Sequence, residues 1–166
     1  MNLTQDPAVL KALIREEKAE WNYFFKSLRL FPARQVDEMI LPLAEEITAL
    51  TNCRECGNCC KNVEPGLTEK EIERLAALKK ISKENFLNNH TATEPHTGIR
   101  FMHQKPCIFL ESCSCVIYED RPEGCRNFPD LDRKETKFRL KRIAEHMEIC
   151  PIVYNTMNIL RQQLQN

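Results

Sequence analysis

Cys53-Arg54-Glu55-Cys56-Gly57-Asn58-Cys59-Cys60 sets four thiols within eight residues. Three of them stand at successive two-residue spacings, and the fourth follows at once. Packing does not call for that density of small sulfurs. A thiolate is costly at neutral pH unless a cation stands beside it, and a metal ion supplies one. Cys-x2-Cys brings two sulfurs to one ion from a single tight turn. Three cysteines at that repeated spacing can also wrap one face of a four-iron cluster. The usual continuation of such a run, three residues and then Cys-Pro, is missing here. A Cys-Pro does occur at Cys150-Pro151. The octapeptide should be a loop, with Gly57 allowing the backbone its tight bend.

Five further cysteines lie downstream, at Cys107, Cys113, Cys115, Cys125 and Cys150. In an extended loop, neighbours point their side chains apart, so Cys59 and Cys60 are expected to face two sites or a polynuclear centre. The nine thiols suffice for two tetrahedral centres with one left over. The spare should be Cys113, two positions from Cys115 and able to share its face in a strand. One grouping sets Cys53, Cys56, Cys59 and Cys150 on one centre and Cys60, Cys107, Cys115 and Cys125 on the other.

The reading of the cysteines depends on the compartment. The first residues carry Asp6, Glu16 and Glu17 and no basic stretch followed by an apolar run. No run of apolar residues is long enough for a membrane helix. A cytoplasmic protein is therefore expected, and in a reducing cytosol clustered cysteines bind metal rather than form disulfides. The chain has 166 residues and a formal net charge of zero, which fits one domain and gives no global attraction for nucleic acid or membranes.

Around the cysteines the pattern is helical. From Pro7 to about Leu30 the apolar positions Leu10, Ile14, Trp21, Phe24 and Leu28 recur at helical spacing, interrupted at Glu17. A second helix should run from Ala33 towards Leu50 on Val36, Ile40, Leu43, Ile47 and Leu50, kinked or divided at Pro42. These two segments read as an N-terminal helical hairpin over residues 1–50, packed on a cysteine-cluster domain over 51–166. Thr68 and Glu71 form a capping box for a helix ending near Lys80, and Ser82 caps another. Residues 88–98 read as a loop, 99–102 as a short strand, and 109–118 as a small hairpin. Residues 120–129 should be irregular, 132–146 helical, and a last helix should begin at Pro151. The expected fold class is mainly α with short irregular or β-hairpin segments.

Four motifs in order carry a resemblance. They are CRECGNCC at 53–60, PCIFL at 106–110, CVIYEDRPEGCRNFP at 115–129 and CP at 150–151. Together they resemble the YkgJ-type cysteine-cluster family, the CxxCxxCC proteins, which are zinc- or iron-chelating domains. The resemblance implies a ligand set of Cys53, Cys56, Cys59, Cys60, Cys107, Cys115, Cys125 and Cys150, with Cys113 outside it. The cofactor would be zinc or iron, a 4Fe-4S cluster included. Neither spacing nor resemblance decides between a metal-binding protein, an iron–sulfur enzyme or electron carrier, and a metal-handling protein.

The remaining polar residues are read conservatively. Tyr118, Glu119, Arg121 and Arg126 flank the distal cysteines and suit a shell of hydrogen bonds and charge around an anionic thiolate site. His90, His96, His103 and His146 lack a paired metal-binding spacing. Arg133, Lys134, Lys137, Arg139, Lys141 and Arg142 interleave with acids and read as a solvated helix face.

Overall fold

A computed structural model describes residues 3–165. In chain order the helices are α1 (Pro7–Glu16), α2 (Lys18–Leu28), α3 (Ala33–Ala49), α4 (Cys53–Cys56), α5 (Cys59–Asn62), α6 (Glu69–Lys79), α7 (Lys83–His90), α8 (Glu123–Arg126), α9 (Leu140–Met147) and α10 (Pro151–Gln165). The strands are β1 (Thr91–Thr93), β2 (Arg100–Met102), β3 (Leu110–Glu111) and β4 (Ser114–Cys115). Short 3-10 turns cover Tyr118–Asp120 and Thr136–Arg139. The fold is mainly α, as expected, with 61% of the chain helical. No helix among the described residues is long and apolar enough to cross a membrane.

The described residues form two compact units. Those up to Asn52 and those from Pro129 onward make one; Cys53–Phe128 make the other.

The first unit is helical. Asp6 caps α1 by accepting the Ala8 N–H at 2.8 Å, with Pro7 at the first helical position. The long N-terminal helix expected from the sequence breaks at Glu17, whose φ of −102° and ψ of 28° leave the helical region. Glu17, the charged residue in the apolar stripe, pairs with Arg161 of α10. The Arg161 guanidinium also lies 4.0 Å from the centroid of the Trp21 ring, so a largely buried charge meets both an anion and a π face. Trp21 packs on Tyr154 with centroids 5.9 Å apart. α3 buries Val36, Ile40, Ala44 and Ile47 on one stripe, packed against α10. Pro42 does not divide it: α3 continues through the proline to Ala49. α10 is buried on every side from Pro151 to Met157. Its buried Asn155 is satisfied by Thr4, accepting that residue's N–H at 3.0 Å and donating to its carbonyl at 2.9 Å.

The segment expected as a helix over 132–146 is helical only from Thr136. Glu135 takes a left-handed φ of 63°, and its N–H together with that of Thr136 is received by the Asp37 carboxylate at 2.8 and 2.9 Å. Burial pushes the Asp37 carboxyl up, but the hydrogen bonds from Thr136 and Glu135 outweigh it and hold the group below its ordinary range. Asp37→Ala removes both acceptors and is expected to cost about 1–2 kcal/mol. Urea unfolding at pH 7 measures this as a lower midpoint at unchanged slope. The basic residues of this segment do not form an open cationic face. Arg133, Arg139 and Arg142 gather on the buried carboxylate of Asp130.

The second unit has its own core of Leu67, Ile72, Leu75, Phe86, Met102 and Phe109. The capping box forms: Thr68 N–H donates to Glu71 Oε2 at 2.8 Å, and Glu71 N–H to Thr68 Oγ1 at 3.3 Å. α6 ends at Lys79, with Lys80 left-handed at φ 59°. Of residues 88–98, expected as a loop, 88–90 complete α7 and 91–93 form β1, while 94–98 are the turn that leads towards β2. β1 pairs antiparallel with β2, Thr91 opposite Met102, so its few polar residues gain a ladder that their own pattern does not announce. The small hairpin is present as β3–β4, with Leu110 opposite Cys115.

Candidate metal centre

The octapeptide is not an extended loop. It folds as two single helical turns, α4 and α5, joined through Gly57 at φ +56°. That sign of φ is one that side-chain-bearing residues avoid. Space makes the same demand, since a Cβ on Gly57 would stand 2.8 Å from the Cys113 carbonyl carbon and 3.0 Å from its Cα. Glycine thus lets the cysteine turns press against the β3–β4 hairpin. Two hydrogen bonds join the segments. Ser114 Oγ donates to the Arg54 carbonyl at 2.9 Å, and Cys107 N–H donates to the Cys60 carbonyl at 2.8 Å.

The segment carrying Cys125 is anchored from α6. Glu71 uses one carboxylate oxygen for its capping box and the other to accept the Glu123 N–H at 2.7 Å, at the start of α8. Arg74 donates to the carbonyls of Asp120 and Arg121. Burial pushes the Glu71 carboxyl up, yet the hydrogen bonds from Thr68 and Glu123 prevail and hold it below its ordinary value. The stability it gives is therefore complete above the unfolded-state value, about pH 4.3, and fades as pH falls through the lower folded value. Glu71→Gln should flatten that part of the acid limb when unfolding free energy is followed from pH 7 to pH 3. It should also lower stability at pH 7 by about 1 kcal/mol.

Within Cys53–Phe128 these segments enclose a cavity of about 60 Å³. Seven cysteines line it: Cys53, Cys59, Cys60, Cys107, Cys113, Cys115 and Cys125. Apolar side chains, among them Val63, Met102, Phe109, Ile117 and Phe128, fill much of the remaining wall. Six of the eight expected ligands thus share one cavity. Cys56, at the end of α4, is not part of its lining but lies near enough to Cys53 to act on its charge. Cys150 belongs to the other unit, where it is buried just before α10. Cys113, the expected spare, does line the cavity and is exposed. Its two-residue spacing from Cys115 was the signal, since the tight β3–β4 turn keeps both beside the same space. No disulfide is formed among the described residues.

The thiols interact. The Cys60 S–H lies between the sulfurs of Cys59 and Cys115 and donates towards them. That donation brings the Cys59 thiol down to about 7 and the Cys115 thiol to about 6. Donating to Cys115 and Cys59, together with burial, pushes Cys60 itself far up. Cys59 and Cys60 were expected to diverge, as in an extended backbone. The helical turn that starts at Cys59 instead leaves their sulfurs in hydrogen-bonding reach. Burial and the neighbouring sulfurs push Cys125 up to about 12, and burial raises Cys53 and Cys107.

Two cations, Arg54 and Arg121, line the cavity beside this anionic set. The Arg121 guanidinium lines the cavity and favours the thiolate forms of Cys53, Cys59, Cys115 and Cys125. The Arg121 guanidinium stacks 3.5 Å from the centroid of the Tyr118 ring, which Arg54 also approaches at 4.1 Å. Arg54 also pairs with Glu119. Arg126 turns to the backbone, donating to the carbonyls of Glu119 and Arg121. Sequence reading placed these four residues around the thiols; Arg121 and Tyr118 do line the cavity. None of the four histidines lines it.

Among the described residues, no three His, Cys, Asp or Glu side chains stand in an arrangement that could already hold a metal ion. The fit to metal is carried by the donor chemistry. Seven soft sulfurs surround one small cavity, two of them held towards thiolate, with a guanidinium beside them. Soft thiolates suit zinc and iron–sulfur clusters and are poor ligands for magnesium or calcium.

No curated protein and no solved structure matches the chain. A family model does match residues 52–151, more than half of the chain. It is the CxxCxxCC model, described as "Putative zinc- or iron-chelating domain". The match starts one residue before Cys53 and ends one residue after Cys150, so it brackets the whole cysteine series, and the chain belongs to the CxxCxxCC family.

Proposed function

We propose that this protein holds a polynuclear thiolate centre, zinc or iron–sulfur, in the cavity of the Cys53–Phe128 unit. The ligands are Cys53, Cys56, Cys59, Cys60, Cys107, Cys115 and Cys125. Cys150, implied as an eighth ligand by its Cys-Pro motif, belongs to the other unit and is not assigned to this cavity. The observation that carries the reading is the contiguous Cys59–Cys60–Cys115 sulfur series on a cavity lined by four other thiols. Cys59, Cys60 and Cys115 would hold adjacent positions of one such centre rather than corners of two separate sites. The sulfurs close around the metal as it binds, and the displaced protons leave. Arg121 and the Tyr118 ring offset the charge that accumulates. When bound, zinc supplies cross-linking of the three cysteine segments, and an iron–sulfur cluster adds a one-electron couple. The compartment that suits so many reduced thiols is the cytoplasm.

Anaerobic purification followed by elemental analysis, acid-labile sulfide and visible absorption tests this. At least one equivalent of tightly held zinc or iron per chain is expected. Less than one equivalent sinks the proposal. A colourless preparation with zinc and no sulfide removes the iron–sulfur form and leaves the zinc form.

A second reading, metal handling, is favoured by the exposure of Cys53 and Cys113 on the same cavity as the more protected thiols. Thiols reachable from solvent let a chelator or client thiol attack the bound metal. Exchange within minutes under excess chelator supports handling; a metal released only with unfolding excludes it.

A further inference from the structure

A groove of about 560 Å³ runs through the helical unit, between α1–α2 and α9. Its floor is apolar: Trp21, Phe25, Met147 and Leu140 are buried beneath it, and Ile14 and Ala144 are half-buried. Along one wall stand Lys11, Arg15, Lys18, Lys26 and Arg29. With Asn22 they follow steps of three and four residues, so one stripe of the two helices presents cations and no acid. Glu16 and Glu20 fall outside that lining. The facing wall differs. It contributes Lys141 but also Glu145 and Glu148. Among the described residues none of the six cations forms an ion pair. In a chain whose formal net charge is zero, six unpaired cations on one apolar groove are a local concentration of charge.

We infer that this groove docks an amphipathic helix of a partner protein. That helix carries acids along the flank that meets α1–α2 and a basic residue or two along the flank that meets Glu145 and Glu148. The length argues for a helix. Laid end to end at 1.5 Å per residue, α1 and α2 from Lys11 to Arg29 give the wall at most about 27 Å, less the bend at Glu17, which is still far longer than a compact metabolite. The chemistry of the floor fits the apolar face of such a helix, seated at i, i+3, i+4 and i+7 positions. The pair of acids argues against a polyanion, because a nucleic acid brings no cation to Glu145 and Glu148. A membrane is disfavoured by shape, since the aromatic side chains lie at the bottom of a groove rather than projecting from a helix face as interfacial anchors do.

The chain has a single tryptophan, and it lies on the groove floor. The ring is buried against Tyr154 and Arg161, so its emission reports occupancy through the change in charge and packing above it. The probe is a synthetic 18-residue amphipathic helix with leucines on one face, glutamates on one flank and two lysines on the other. A charge-swapped peptide of the same composition of leucines is the control. The full chain should show saturable, salt-sensitive change in Trp21 emission with the acidic peptide. Lys18→Glu with Lys26→Glu, both exposed and outside the core, should weaken it at least tenfold and improve binding of the charge-swapped peptide. Far-ultraviolet circular dichroism of the double variant checks that the helices persist; should they not, Lys11→Gln with Arg29→Gln takes its place, with a smaller loss expected. Absence of saturable binding overturns the inference. So does equal binding of both peptides, or stronger binding of anionic phospholipid vesicles or of duplex RNA than of the acidic peptide.

Discussion

Replacing Cys60 with serine is expected to strip the protein of most of its metal. Cys60 has two sulfurs within hydrogen-bonding reach, those of Cys59 and Cys115. Losing a residue that only supports a ligand costs about 10–100-fold in metal affinity. Losing a ligand itself should exceed about 100-fold. A wild-type protein saturated at about 100 times its dissociation constant gains ~2.7 kcal/mol from the metal, and the variant forfeits that gain. Metal content after desalting and thermal unfolding with and without chelator read the two effects. In Cys60→Ser the chelator should no longer shift the unfolding temperature. Cys113→Ser is the informative companion. It lies on the same cavity but outside the proposed ligand set, so its metal content should match wild type while release to chelator slows. Equal loss of metal from both variants would show that the ligand set is drawn wrongly.

Gly57→Ala is expected to be the most damaging substitution that touches no sulfur. A methyl group there meets a backbone conformation that costs an L-residue about 1–2 kcal/mol. It also meets the backbone of Cys113, which cannot rotate away as a side chain would. Overpacking of this kind costs about 1–3 kcal/mol, so the sum is about 3 kcal/mol. Gly98 supplies an internal control. Its φ is +69°, close to that of Gly57, but a Cβ added there meets nothing within 4 Å. Gly98→Ala should therefore cost only the backbone part, about 1–2 kcal/mol. Urea unfolding of the two variants separates strain from collision. Gly57→Ala should also weaken metal binding, because relief of the collision moves the Cys113–Cys115 hairpin away from α4 and α5. A cost no greater than that at Gly98 would mean that the hairpin yields freely.

Local chemistry made much of this legible in the sequence. Thr68 and Glu71 announce a helix start through a reciprocal pair of hydrogen bonds that needs only four residues of chain. Pro151 announces another because its missing N–H is harmless at that position. The cysteine motifs announced a ligand set because metal chemistry leaves few other uses for such spacing, and six of its eight members line one cavity. What stayed hidden depends on partners far away in the chain. The helix break at Glu17 makes sense only with Arg161, and the left-handed Glu135 only with Asp37. β1 is too short and polar to be seen without the strand it pairs with. At the centre itself, the sequence was read with an extended backbone through Cys59 and Cys60. One helical turn was enough to reverse how those two thiols relate.

The helical unit is assembled from segments on either side of Cys53–Phe128, and this orders events during synthesis. All seven cavity thiols have left the ribosome's active centre by the time Phe128 is added. α1, α2 and α3 are older still, but α10, on which α3 packs, does not yet exist. At about 5–20 residues per second, the stretch up to Gln165 takes roughly two to eight seconds. During that interval the stripe of Val36, Ile40 and Ile47 has no α10 to cover it, while the distal cysteine segments, already made, are still passing through the ribosomal tunnel. Because the ribosomal tunnel still holds the most recent residues, the cysteine unit emerges only while α10 is being made, so metal loading and closure of the helical unit fall together. A pulse of chelator should do most harm to chains caught in those seconds.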